Sequence, residues 1–291
     1  METETRTLET PDVDLVYEVR SPATAADGRL PLLMIGHPMD ARGFDTLATF
    51  FEDRTVVTCD PRGLGRSTRK DGRADRSPAM HSADLQALIT ALGVGPVDIF
   101  GSSGGAVNAL ALVQQHPEQV RTLVAHEPPL LKVLPDADRA LAAERAVTDA
   151  YHAGGFGAGM ARFIVLSSWE GEFTDAYEAQ PTPDPAQFGL PTEDDGGRED
   201  PLLSGTGSDI TAFEPDSAAL AAASTRIVVA AGVESMSTVT GRTAAALAEA
   251  LGQPLVEFPS HHGGFLGGEF GYAGQPEAFA ARLHEVLDGP A

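Results

Sequence analysis

Cysteine is almost absent. Cys59 is the only one in 291 residues, which excludes an intramolecular disulfide. It closes the short apolar run Val56-Val57-Thr58-Cys59 and reads as a small core residue. Basic residues are scarce too: Lys and Arg total 20 against 42 Asp and Glu, a formal net charge of −22. Such a surface argues against nucleic acid and anionic lipid as partners, since both require a basic face. No apolar run is long enough to cross a bilayer. The start, Met1-Glu2-Thr3-Glu4-Thr5-Arg6, lacks the apolar segment of a secretory signal, so a cytoplasmic location is expected. Internal repeats, a phosphate loop with Gly-Lys-Ser/Thr and histidines at zinc spacing are all missing, and Gly63-Leu64-Gly65 does not continue into a dinucleotide fingerprint. The expectation is therefore no metal, no cofactor and a small-molecule substrate, with homo-oligomerisation left open.

What the chain does hold is alternation. Residues 5–19 alternate polar and apolar, which predicts an N-terminal antiparallel hairpin. Near-continuous apolar runs follow at 31–36, 55–59, 96–100, 121–126, 226–231 and 254–258, as expected of parallel strands covered on both faces. Helical patterns fall between them at 43–52, 78–93, 105–116, 238–251 and 275–288. This order predicts an α/β fold with a doubly wound, mostly parallel sheet, whose ligands sit at the carboxyl ends of the strands. Residues 128–222 break the pattern. There, helices at 137–152 and 160–169 flank Gly154-Gly155, and a Pro-, Gly- and acid-rich stretch runs over 171–215. The organisation expected is a core first part at 1–127, a helical lid insertion at 128–222 and a core second part at 223–291. Phe156, Met160 and Trp169 are candidates to line an apolar substrate pocket under that lid. The acidic run Glu193-Asp194-Asp195 reads as a solvated face.

The chemistry begins at Val97-Asp98-Ile99-Phe100-Gly101-Ser102-Ser103-Gly104-Gly105-Ala106, an apolar strand, a tight turn and the start of a helix. The turn carries G-x-S-x-G centred on Ser103, flanked by Gly101 and Gly105. Centring it on Ser102 would require a small residue where Phe100 stands. Such a turn holds the serine in a strained backbone conformation and presents its hydroxyl, with the following N–H groups aimed at whatever it attacks. A second segment, Asp60-Pro61-Arg62-Gly63-Leu64-Gly65-Arg66-Ser67, follows another strand. A third, Val256-Glu257-Phe258-Pro259-Ser260-His261-His262-Gly263-Gly264-Phe265, runs from the last strand into a histidine-bearing loop.

With these motifs in this order, the chain resembles the α/β-hydrolase superfamily, in its serine-nucleophile, esterase-like branch with a helical lid. The resemblance implies a serine, acid, histidine triad in that chain order. His262 matches the family's His-x-Gly-Phe, leaving His261 directed elsewhere. The oxyanion hole would take the N–H of Gly104 and a second donor after the third strand. Many relatives carry His-Gly there, whereas this chain has His37-Pro38, and proline has no N–H. The donor position is then Met39, and His37 is a structural loop residue. The acid is open between two glutamates. The spacing Gly-x-x-Asp from Gly232 lands on Ser235, one residue past Glu234. A second location used by some relatives falls on Glu127, at the end of 121–126, followed by Pro128 and Pro129. Glu127 is preferred, with Glu234 the alternative.

The implied activity is hydrolysis of an ester-like bond of a small organic molecule through an acyl-enzyme. Lactonases, thioesterases, carbon–carbon bond hydrolases and perhydrolases would use the same site, and a ligand receptor that lost turnover is the non-enzymatic alternative. Epoxide hydrolases and haloalkane dehalogenases share the fold but use an Asp nucleophile, which the serine at 103 counts against.

Overall fold

The computed structural model describes residues 2–22 and 29–289. Its strands are β1 (Glu2–Glu9), β2 (Val13–Ser21), β3 (Leu32–Ile35), β4 (Val56–Cys59), β5 (Thr68–Arg69), β6 (Val97–Ser102), β7 (Val120–His126), β8 (Arg226–Gly232) and β9 (Val256–Phe258). They form one nine-stranded sheet in the order β1-β2-β4-β3-β6-β7-β8-β9, with β5 pairing on β2. The β1–β2 hairpin and the β2–β4 and β2–β5 pairs are antiparallel; every pair from β4 through β9 is parallel. This is the α/β fold with a mostly parallel sheet.

Both faces of the parallel strands are buried, as their unbroken apolar sequences require. Side chains alternate across the pleat. Leu33, Ile35, Ile99, Leu123 and Val229 point to one core cluster, and Leu32, Met34, Phe100, Val124 and Ala230 to the other. Helices α1 (Pro78–Leu92), α2 (Gly104–Gln115) and α4 (Val239–Ala250) cover the first face; α5 (Pro276–Asp288) covers the second. Helix α1 is punctuated in its own sequence. The Ser77 side chain accepts from Met80 N, Pro78 occupies the first turn, and Gly93 ends the helix at φ 65°.

The insertion between β7 and β8 is built on α3 (Ala137–Ser168). Two helices separated by a gap were expected at 137–152 and 160–169. Two helices are present and meet at a single residue: Gly155, at φ 77° and ψ −167°, breaks the helical path between Ala137 and Ser168. The helix expected at 43–52 is also shorter: a 3-10 turn, Ala41–Phe44, runs into the single α turn Asp45–Ala48. One residue inside β6 departs from the apolar reading. Asp98 is completely buried and bonded to Arg54 Nη1 at 3.0 Å and Arg121 Nε at 2.9 Å, with Arg54 itself 1% exposed. Among the described residues no helix is long and apolar enough to cross a membrane, and no group of three or more His, Cys, Asp or Glu could hold a metal ion.

Candidate active site

Strands β6, β7 and β9 end on the same side of the sheet, and each leads into a residue with left-handed backbone. These are Ser103 (φ 56°), Glu127 (φ 47°) and Ser260 (φ 69°). A non-glycine residue held in a sparsely populated region costs on the order of 1–3 kcal/mol, and such strain concentrates at functional sites. Three such residues at the carboxyl ends of β6, β7 and β9 make this edge the candidate site.

Ser103 joins β6 to α2 with φ 56° and ψ −130°. Its N–H donates to His126 O at 2.9 Å, and its carbonyl accepts from Ala106 N at 2.9 Å. The turn is possible because α2 lies directly on β3. A Cβ on Gly105 would come within 2.7 Å of the Ile35 carbonyl carbon. Gly104 opens α2, and its N–H is one of the donors a helix start leaves unpaired. It faces His37, whose carbonyl oxygen would be 2.9 Å from a Cβ at that position. The Met39 N–H has no hydrogen-bond partner among the described residues, and its side chain fills the space over Gly36 and Gly43.

Glu127 is fully buried, and three donors hold its carboxylate. Oε1 accepts from Gly232 N at 2.9 Å; Oε2 accepts from Thr240 Oγ1 at 2.5 Å and meets His262 Nδ1 at 2.6 Å. Thr240 lies in the first turn of α4, where the helix dipole also favours negative charge. Residue 232 must be small to donate here, because a Cβ would press within 3.0 Å of the His261 carbonyl carbon. Burial opposes ionisation of Glu127, but the charge and hydrogen bond of His262, with Thr240, hold its carboxyl well below the usual range. His262 shows the converse. Burial pushes its imidazole down, and the facing carboxylate outweighs this and raises it above the ordinary histidine value. The pair is asymmetric: 42% of the His262 side chain is accessible, against none of Glu127. With Nδ1 bound to Glu127, the other ring nitrogen is the one available for chemistry.

The remaining candidates fall elsewhere. His261 is tied into its own loop, Nε2 to Ala273 O at 3.3 Å and Nδ1 accepting from Gly263 N at 3.1 Å. Glu234 is exposed, and it is Glu127 that the structure brings to His262. Phe156, Met160 and Trp169 pack against the insertion's own apolar cluster, and the Trp169 indole donates to Glu172 O at 3.0 Å. A broad surface groove bordered by Asp136, Arg139, Phe173 and Asp175 shares no residue with the Ser103 cluster.

Three contributions had no signal of their own in the sequence. Gly232, read only as the anchor of the Gly-x-x-Asp spacing, and Thr240 act through β8 and α4. His126 is the third. Its ring stacks 6.2 Å from that of His262 and lies among Phe100, Phe258, Phe265 and Phe279. Burial lowers it to about 4, against the opposing charge of Glu127, so it is a neutral wall of the site. The Asp60 motif turns out to be a brace. Asp60 accepts from Ala41 N and Arg66 N, both at 2.9 Å, and Ser67 Oγ donates to Asp60 O at 2.8 Å. It locks the loop after β3, which carries Met39, to the loop after β4.

The Ser103 turn thus ends β6 next to β7, whose end carries the buried Glu127 bound to His262. A model of the alpha/beta hydrolase fold matches residues 37–163. The chain has the α/β-hydrolase fold. It is 37% identical over 129 residues to the uncharacterized hydrolase YraK of Bacillus subtilis (strain 168), covering 44% of this chain and 46% of that protein. The matched stretch is thus about half the length of that relative. A proline iminopeptidase of Xylella fastidiosa (strain 9a5c) is 41% identical over 69 residues, 24% of this chain and 22% of that protein. Among solved structures, a thermophilic esterase from Thermogutta terrifontis superposes with a TM-score of 0.64 at 20% identity, covering 99% of this chain and 98% of its own. At that identity the likeness is one of fold.

Proposed function

We propose that the protein is a serine hydrolase cleaving an ester-like bond of a small organic molecule through an acyl-enzyme on Ser103. Ser103 Oγ attacks the carbonyl carbon while His262, through its Nε2, takes the hydroxyl proton. Glu127 holds the ring in the required orientation and stabilises the imidazolium that forms. The N–H groups of Gly104 and Met39 receive the developing oxyanion, their advantage being that neither must first leave a partner. His262 then returns the proton to the departing alcohol. It next deprotonates a water that attacks the acyl carbonyl and releases Ser103. The insertion built on α3 acts as the lid. No step calls for a metal or cofactor.

The observation that carries this proposal is the buried Glu127 bound at 2.6 Å to a half-exposed His262, one strand away from the strained Ser103 turn. A structural ion pair would have no need of an accessible imidazole nor of a neighbouring unpaired N–H at a helix start. The test is hydrolysis of p-nitrophenyl acetate and butyrate by the wild type and Ser103→Ala, with a burst-phase measurement. Turnover with a burst that vanishes in Ser103→Ala is expected. Turnover that survives the substitution refutes the assignment of Ser103. Lactones, thioesters and N-terminal proline amides form the next panel.

A further inference from the structure

The side of the site opposite His262 holds an arrangement the proposed reaction does not use. His37 is 5% exposed, with Nε2 buried and unpartnered. Its ring meets that of His81 edge-on, centroids 4.8 Å apart, and His81 Nε2 is also buried without a partner. Next to them stands Arg76. Its backbone N–H donates to Thr206 O at 2.9 Å and its Nη1 to Thr206 Oγ1 at 2.5 Å. The following residue, Gly207, is what His37 packs on: a Cβ there would lie 3.6 Å from His37 Cε1. Arg76 and His37 are thus held together by Thr206-Gly207, and His37 in turn lies on Gly104, the residue after Ser103.

Arg76 differs electrostatically from the arginines that precede it in the chain. Asp and Glu outnumber Lys and Arg by 42 to 20, and the arginines around it each hold a carboxylate. Arg62 has Asp84, Arg66 has Asp60, Arg69 has Asp71 and Arg73 has Asp75. Arg76 has none within 4.0 Å among the described residues, its Nε is buried without a partner, and burial lowers its pKa. Asp200, the acid whose charge reaches it, makes no salt bridge with it and accepts on Oδ1 from Leu202 N at 2.9 Å and Leu203 N at 3.0 Å. Burial and the Arg76 charge keep His37 neutral, at about 3, so its ring can offer an N–H without adding a second cation. A half-buried guanidinium and a buried imidazole, both with unused nitrogens, lack one thing. That is an anion with planar oxygens.

Resting on the hydrolase reading above, we propose that Arg76 and His37 form a subsite for a carboxylate carried by the acyl part of the substrate. His81 backs the His37 ring and sets its orientation. The substrate class is then an ester-like derivative of a dicarboxylic acid, its free carboxylate on Arg76 while its other carbonyl faces Ser103.

The test compares mono-p-nitrophenyl glutarate and adipate with their methyl-capped, neutral counterparts. The quantity read is the ratio of kcat/KM for the acid over the capped ester. In the wild type the better of the two acids should exceed its capped form by about tenfold or more, the scale of a lost charged hydrogen bond. Arg76→Gln should lower that ratio by a similar factor, and Arg76→Lys should restore part of it. A wild-type ratio of one or less for both acids, or an unchanged ratio in Arg76→Gln, overturns the proposal. Fluorophosphonate labelling of Ser103, read by mass spectrometry, separates this failure from failure of the hydrolase reading. If Ser103 neither labels nor turns over any ester, calorimetry of adipate on Ser103→Ala decides. Binding that weakens about tenfold in Ser103→Ala/Arg76→Gln supports the subsite, and no binding refutes it.

Discussion

At the scale of single residues, the acid is where the site is most open to experiment. Glu127→Gln removes the charge that stabilises the imidazolium and should lower kcat by roughly two to four orders of magnitude. Glu234→Gln, at an exposed position, should change it less than about twofold. Equal, small effects of both would remove Glu127 from the mechanism. The pair also sets a pH dependence whose sign differs between stability and rate. Glu127 is depressed below its ordinary 4.5, and His262 is raised above its ordinary 6.5. Their mutual stabilisation is therefore complete between those two values. It is lost on acidification as Glu127 takes up its proton, and on alkalinisation as the pH passes the folded His262 value. Catalysis needs the neutral imidazole, so kcat/KM should rise along a limb with its midpoint above 6.5. Glu127→Gln should move that midpoint down. A pH–rate profile of both proteins reads it directly. Thr240→Val, removing one donor to the same buried carboxylate, should cost about 1.5–3 kcal/mol in urea unfolding.

Elements explain why those residues meet. The serine turn works because β3 and α2 approach so closely that only glycine fits at 105, and the acid pocket works because β8 and α4 present an N–H and a hydroxyl to one point. The loop after β3 has no such support of its own. Asp60 supplies it by bonding Ala41 N, two residues beyond Met39. Asp60→Ala should therefore let that loop drift and lower kcat by about tenfold or more, since displacements near 1 Å are costly in a preorganised site. Fluorophosphonate labelling of Ser103 should slow in parallel. A variant that loses stability but keeps its labelling rate would show that the brace serves folding alone.

For the whole molecule, the sheet's far end carries a charge in an otherwise apolar core. Asp98 is wholly buried between Arg54 and Arg121, and Arg54 is itself almost fully enclosed. Removing one member of a buried pair strands the other. Asp98→Ala should accordingly cost about 3–5 kcal/mol, seen as a lower urea midpoint at an unchanged slope. Far from the serine, it should leave kcat per folded molecule near the wild-type value.

Local pattern was enough for the strands, most helices and the serine turn, because each rests on chemistry within a few residues. Apolar runs bury on both faces, Ser77 and Gly93 bracket α1, and Gly101-Ser102-Ser103-Gly104-Gly105 carries its own backbone demand. Where the pattern misled, a neighbour distant in sequence was responsible. Asp98, inside a run that read as apolar, is tolerable in a core strand only through Arg54 and Arg121. The choice between Glu127 and Glu234 could not be read along the chain, since both follow a strand at a plausible place. Strand order decided which carboxylate meets His262: β7 lies two strands from β9, and Glu127 turns inward across β8 to accept from Gly232 and Thr240. Sequence dictates what each segment prefers. Which buried charges find partners is a property of contacts between different segments, from 23 residues apart for Asp98 and Arg121 to 135 for Glu127 and His262, and only the tertiary fold sets those.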